Sequence, residues 1–125
     1  MEELRRALAA TKIKLGLDVE LMYSCWRDAD KDKMFPDKKM YQFHVIITAS
    51  SAVLYQIESV TYRLPSCWGN RQVQLIRDRS TNFKLKELAW GSFTSYADVK
   101  IREQDNLVTL SRRITLKEKR PRLPV

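Results

Sequence analysis

Hydrophobic residues recur at every second position through most of this chain. Ile13, Leu15, Leu17, Val19, Leu21 and Tyr23 alternate with Lys12, Lys14, Gly16, Asp18, Glu20 and Met22. That spacing marks a strand with one face in a core and the other in water. Tyr41, Phe43, Val45, Ile47 and Ala49 repeat it against Gln42, His44 and Thr48. Val53 to Ile57 and then Val60, Tyr62 and Leu64 read as further strand. The change from odd to even phase between Ile57 and Val60 predicts a bulge or an irregular strand entry. Pro65 ends that run, because it has no amide to donate.

Short strands follow at Gln72 to Ile76 and around Phe83 and Leu85. Phe93, Ala97, Val99 and Ile101 then face one way against Thr94, Tyr96, Asp98, Lys100 and Arg102. Val108, Leu110, Ile114 and Leu116 belong to a last strand. Between these runs lie a charged break from Asp28 to Lys39, a polar turn from Asp78 to Asn82, and a hairpin-type turn at Gln104-Asp105-Asn106. Only Glu2 to Ala10, with Leu4 and Leu8 one turn apart, has helical character, and it is short enough to need docking. Seven or eight short strands, with no helical period after Ala10, predict an all-β fold. An immunoglobulin-like antiparallel β-sandwich buries such a pattern best, with a small closed barrel as the alternative. The expected organisation is a helical extension at 1–10, the sandwich at 11–116 and a basic, disordered tail at 117–125.

Composition narrows the reading. The chain has 125 residues, 44% hydrophobic and 30% charged, which suits one globular domain with a real core. No apolar run approaches a membrane span, and Glu2 and Glu3 open the chain where a secretion signal would be cationic. The expected place is therefore inside the cell, in the cytoplasm, or in the nucleus if the chain is eukaryotic. Cys25 and Cys67 are too few for a disulfide framework and read as free thiols. The single histidine, His44, lies mid-strand without co-ligands. Neither a metal site nor a catalytic triad can be assembled, no phosphate-binding glycine loop is present, and no cofactor is expected. The net charge of +8 is partly concentrated in the tail, where Lys117, Lys119, Arg120 and Arg122 outnumber Glu118.

Two tryptophans stand apart from the strand pattern. Trp68 and Trp90 each sit where a loop joins two strands, in Leu64-Pro65-Ser66-Cys67-Trp68-Gly69-Asn70 and Glu87-Leu88-Ala89-Trp90-Gly91-Ser92-Phe93. An indole beside glycine in a turn is poorly placed to fill a core, and loop aromatics often line recognition sites. With the loops side by side, the indoles would face each other across a slot for one flat group. Against this, Trp90 could instead cap the core with Phe93, as buried tryptophans commonly do in sandwiches. Trp26 reads as a packing residue.

The run Ile57-Glu58-Ser59-Val60-Thr61-Tyr62-Arg63-Leu64, followed by the two tryptophan loops, resembles the YEATS domain family. The likeness spans roughly Thr11 to Leu116 and is carried by the order and separation of the two loop motifs. Pro65, Cys67 and Ala89 stand where eukaryotic acyl-lysine readers have histidine, serine or threonine, and glycine, which makes the chain more similar to the prokaryotic branch. The resemblance implies an immunoglobulin-like sandwich with a pocket for an acylated lysine at one end, and no catalysis. The ligand-binding set it implies is Trp68, Trp90, Cys67, Ser66, Ala89 and Gly91, with the backbone amide of Trp90 as donor to the acyl carbonyl. Cys67 is a weak donor in place of a hydroxyl, so an altered ligand preference is expected. Glu87 and Asp78 are the nearest carboxylates in sequence that could meet an unmodified lysine.

Partners follow from these readings. The leading one is an acylated protein or peptide, or another small flat ligand. A protein-binding scaffold without a pocket is the second. A nucleic-acid-binding domain, drawing on the positive charge and indole stacking, ranks third, because no strand interleaves aromatics with Lys or Arg. A methyl-lysine cage is a variant of the first, weakened by the lack of a clear carboxylate.

Overall fold

A computed structural model describes residues 19–34, 39–105 and 107–116 of the chain. The predicted helix at 2–10, the opening of the first strand at 12–18, Phe35, Asn106 and the basic tail lie outside them.

Seven strands are present among the described residues. They are β1 (Glu20–Arg27), β2 (Tyr41–Thr48), β3 (Ile57–Arg63), β4 (Val73–Ile76), β5 (Leu85–Ala89), β6 (Phe93–Ile101) and β7 (Leu107–Ile114). One antiparallel sheet has the order β1-β2-β5, and the other β4-β3-β6-β7. The chain therefore changes sheet after β2, after β4 and after β5, and the result is an immunoglobulin-like sandwich. The predicted alternation is what fills it: Leu21, Tyr23, Phe43, Val45 and Ile47 from one sheet meet Val60, Tyr62, Phe93, Ala97, Val99 and Ile101 from the other, all buried. Each strand offers one face to a shared core, the condition under which a period of two is selected.

The expected irregularity at the start of β3 is a register shift between Ile57 and Ser59, where β3 pairs with β6. The stretch just before it departs from expectation. Ser51–Gln56 is a short α-helix, α1, and not a strand. The Ser50 side chain accepts a hydrogen bond from the Val53 amide at 3.2 Å, the bond of an N-cap. Val53 and Leu54 still pack against the core, so a short apolar run satisfied burial in either conformation, and the cap decided it. Tyr55, within this helix, is 65% exposed. Its ring lies under the guanidiniums of Arg79 and Arg102, each 5.3 Å from the ring centroid.

The polar turn before β5 holds Asn82 and Phe83 at φ of 57° and 56°, a region bulky side chains rarely enter. Phe83 is retained there by a buried ring, an amide donating to the Asp78 carbonyl at 2.9 Å, and a carbonyl accepting from the Tyr62 hydroxyl at 2.6 Å.

Candidate functional site

β3 delivers the chain to one end of the sandwich, where the Leu64 amide donates to the Gln72 carbonyl at 2.7 Å and closes the base of a loop. The loop folds as two 3-10 turns within Ser66–Arg71, joined by a kink at Gly69, with the Trp68 amide donating to the Pro65 carbonyl at 3.1 Å. Gly69 follows at φ 59°, ψ −125°, a conformation that a β-carbon disfavours. It turns the chain immediately after the indole. The second loop leaves β5 at Ala89, which pairs with Tyr41 of β2, and enters β6 at Phe93. Ser92 Oγ accepts from the Leu116 amide at 3.0 Å, which ties this loop to the segment after β7 and leaves the hydroxyl proton for donation.

The two indoles lie face to face, with centroids 6.4 Å apart and planes 14° from parallel. They differ in support. Trp68 is half-buried and packs on Phe93 at 4.7 Å and edge-on against Phe43 at 6.2 Å, so the inner wall rests on the core. Trp90, the outer wall, is 38% exposed. Together with Pro65, Cys67, Gly91, Ser92 and Phe93 they line a pocket of about 190 Å³.

Four of the six expected site residues, Trp68, Trp90, Cys67 and Gly91, meet at this pocket. Ser66 and Ala89 do not line it. Ser66 is exposed at the start of the 3-10 segment, and Ala89 is fully buried. Alternation along β5 turns Ala89 into the core with Leu85 and Glu87. Pro65, Ser92 and Phe93 are lining residues the expected set lacked. Their signal was present, since all three stand within the two loop motifs.

Among the described residues, no charged side chain lines the pocket. Glu87 points inward from β5 with its side chain 5% exposed, paired with Arg71 and accepting from Gln74 Nε2 at 3.2 Å. Asp78 caps the short 3-10 segment Arg79–Thr81, and the hydroxyl and amide of Ser80 hold its carboxyl below the usual range. Neither carboxylate meets the slot. Met40 is buried, and its amide donates to Asp32 at 2.8 Å. Trp26 stands on β1 with its ring edge-on to His44 at 4.7 Å. Burial, and then Lys84 and Lys86, push the His44 imidazole below its ordinary value. Cys25 and Cys67 are both unbridged, the first buried and the second exposed.

Two loops at one end of a two-sheet sandwich thus bring together a near-parallel pair of indoles. The family model for the prokaryotic YEATS domain matches residues 41–115, and the chain belongs to that family. Among solved structures it is similar to the YEATS domain of the yeast protein Yaf9. One such structure, described as recognizing H3K122suc peptide, is 17% identical, with 78% of this chain and 71% of that one covered, at a TM-score of 0.64. Another, described as bound to H3K27ac, is 16% identical, with coverage of 81% and 72% and a TM-score of 0.65. At these identities the likeness is one of fold. No curated protein gave a significant match to the chain.

Proposed function

We propose that this domain is a non-enzymatic reader that holds a neutral, planar acyl-amide group, carried on a lysine of a partner protein, between Trp68 and Trp90. The observation that carries the reading is the pair of near-parallel indoles bordering a pocket whose described lining residues are all uncharged. Each indole face contributes about 0.5–1.5 kcal/mol to a stacked flat group beyond area burial. The pocket volume of about 190 Å³ is many times the ~10–15 Å³ that one water needs on the same measure, room for an amide and the end of its aliphatic stem. A flat group in contact with both faces needs ring planes about 7 Å apart, twice a carbon contact distance. The centroids are 6.4 Å apart, the upper bound on the separation of the planes, so insertion requires the slot to widen. The exposed outer wall, Trp90, is the side that yields.

An amide carbonyl entering an apolar slot needs a donor, or desolvation offsets the stacking gain. Ser92 supplies a hydroxyl at the pocket wall, which compensates for the weak donor at Cys67. An unmodified lysine is disfavoured for a different reason. Its ammonium would meet no counter-charge among the described lining residues, and Glu87 is engaged by Arg71. The Yaf9 structures named with acylated histone peptides support the class of ligand.

The test is a titration of acetyl-, longer acyl- and unmodified-lysine peptides followed by NMR. The reading expects saturable shifts centred on the indole N–H signals of Trp68 and Trp90 for acylated peptides only. Equal response to unmodified peptide, or shifts elsewhere, would refute it.

A further inference from the structure

The two walls of the slot follow strands of different sheets, β3 and β5, and an ion pair with a buried carboxylate links Arg71 of the first loop to Glu87 of β5. Glu87 lies on β5, three residues before Trp90. Arg71 closes the 3-10 segment, three residues after Trp68. The Glu87 side chain is 5% exposed, whereas that of Arg71 is 65% exposed. The guanidinium therefore reaches in from the loop to meet a carboxylate anchored in the sandwich. Glu87 pairs in register with Phe43 of β2, and Phe43 is the residue whose ring supports Trp68 from below. Gln74 of β4 adds a second tie, donating from Nε2 both to Glu87 at 3.2 Å and to the Arg71 carbonyl at 2.9 Å.

We infer that Arg71, Glu87 and Gln74 form a strut that sets the spacing and tilt of Trp68 against Trp90, making Arg71 and Glu87 positioning residues of the slot. The inference rests on the proposed reading of the slot for its functional consequence, but not for its geometry. A buried carboxylate fixes its partner firmly, because leaving that charge unpaired is unfavourable. Arg71 lies in the 3-10 turn that follows the kink at Gly69, and Trp68 in the one that precedes it. Holding Arg71 removes the freedom that Gly69 would otherwise give the indole. On the other side, Glu87 and Ala89 are consecutive inward positions of β5, so the carboxylate is rigidly linked to the start of the Trp90 loop.

The test separates geometry from ligand. Two indoles with centroids 6.4 Å apart couple their electronic transitions, and any skew of the transition dipoles within the ring planes gives an exciton couplet in far-ultraviolet circular dichroism. The couplet depends on their mutual orientation, and Trp68→Phe and Trp90→Phe supply its baseline. Arg71→Ala, Glu87→Gln and the double variant Arg71→Gln/Glu87→Gln are compared with wild type for the couplet, for thermal unfolding and for acetyl-lysine peptide affinity. The double variant leaves no stranded buried charge, so it keeps the test decisive if Arg71→Ala fails to fold. The strut predicts a collapsed couplet in folded variants and a peptide affinity lowered about tenfold, the upper range for losing one aromatic contact. Arg71→Lys should recover part of both. A wild-type couplet in the folded double variant overturns the inference, whatever the peptide does. If wild type binds no acyl peptide but the couplet still collapses in the variants, the strut stands and the acyl-lysine reading fails.

Discussion

Replacing Tyr62 by phenylalanine removes one oxygen from the centre of the sandwich, and its effects can be worked out at two pH values. The ring is fully buried, and its hydroxyl donates to the Phe83 carbonyl at 2.6 Å. Near neutral pH the variant loses that bond and leaves a buried carbonyl without it. The expected loss is about 1–2 kcal/mol, between the net worth of a hydrogen bond and the desolvation penalty of its orphaned partner. For a domain of this size that lowers Tm by about 3–6 °C per kcal/mol. Burial also pushes the Tyr62 phenol above its ordinary value. A group that holds its proton more tightly when folded contributes stability fully below its unfolded pKa and loses it as pH rises past that value. For tyrosine that value is about 10. Above it, wild type should lose about 1.4 kcal/mol per pH unit that Tyr62→Phe does not lose. The two stabilities should therefore converge near pH 11 (about one unit above the unfolded value). Urea unfolding at a series of pH values, with the slope m held common, measures both effects. A variant as stable as wild type at pH 7, or a gap that stays constant into alkali, would refute the reasoning.

The two indoles should separate by their supports. Trp68→Ala is expected to lower stability by about 1–3 kcal/mol through its contacts with Phe93 and Phe43 as well as binding. Trp90→Ala should lower peptide affinity with the smaller loss of stability, and chemical denaturation beside titration checks the order; the reverse order would mean that Trp90 is the core residue. Ser95 is fully buried, and its Oγ has no hydrogen-bond partner among the described residues. Ser95→Ala should therefore raise stability by about 1 kcal/mol, and a loss of that size would show that the hydroxyl is satisfied. Asp32 is held at about 2 by its hydrogen bond to Arg27, with help from the Met40 amide. A depressed carboxyl contributes above its unfolded value and stops contributing as pH falls through its folded one. NMR titration should therefore place its midpoint near 2, with the loop between β1 and β2 holding its shifts down to that pH; a midpoint near 4 contradicts the pairing.

Much of the sandwich is legible in the alternation, because a residue's face on a strand depends only on its parity. Leu21, Phe43, Val45, Val60, Tyr62, Val99 and Ile101 are all core positions that parity identifies. The segment at 51–56 escaped it. Its apolar residues are too few to distinguish a period of two from 3.6, and the Ser50 cap, a local bond, selected the helix. Ala89 escaped for a related reason. The loop motif places it beside Trp90, but the pairing of β5 with β2 continues through it and turns its side chain inward.

By itself, then, the chain determined which residues alternate, where strands must stop, and that two indoles stand in loops beyond strand ends. These are local properties, set by parity, by a missing proline amide and by turn-forming glycine. That Trp68 and Trp90 meet face to face was decided only in three dimensions, because they leave different sheets and their separation depends on how those sheets pack. The same packing placed Glu87 opposite Arg71 and not at the slot. Sequence proximity carries no information about which of two nearby groups a buried carboxylate will reach.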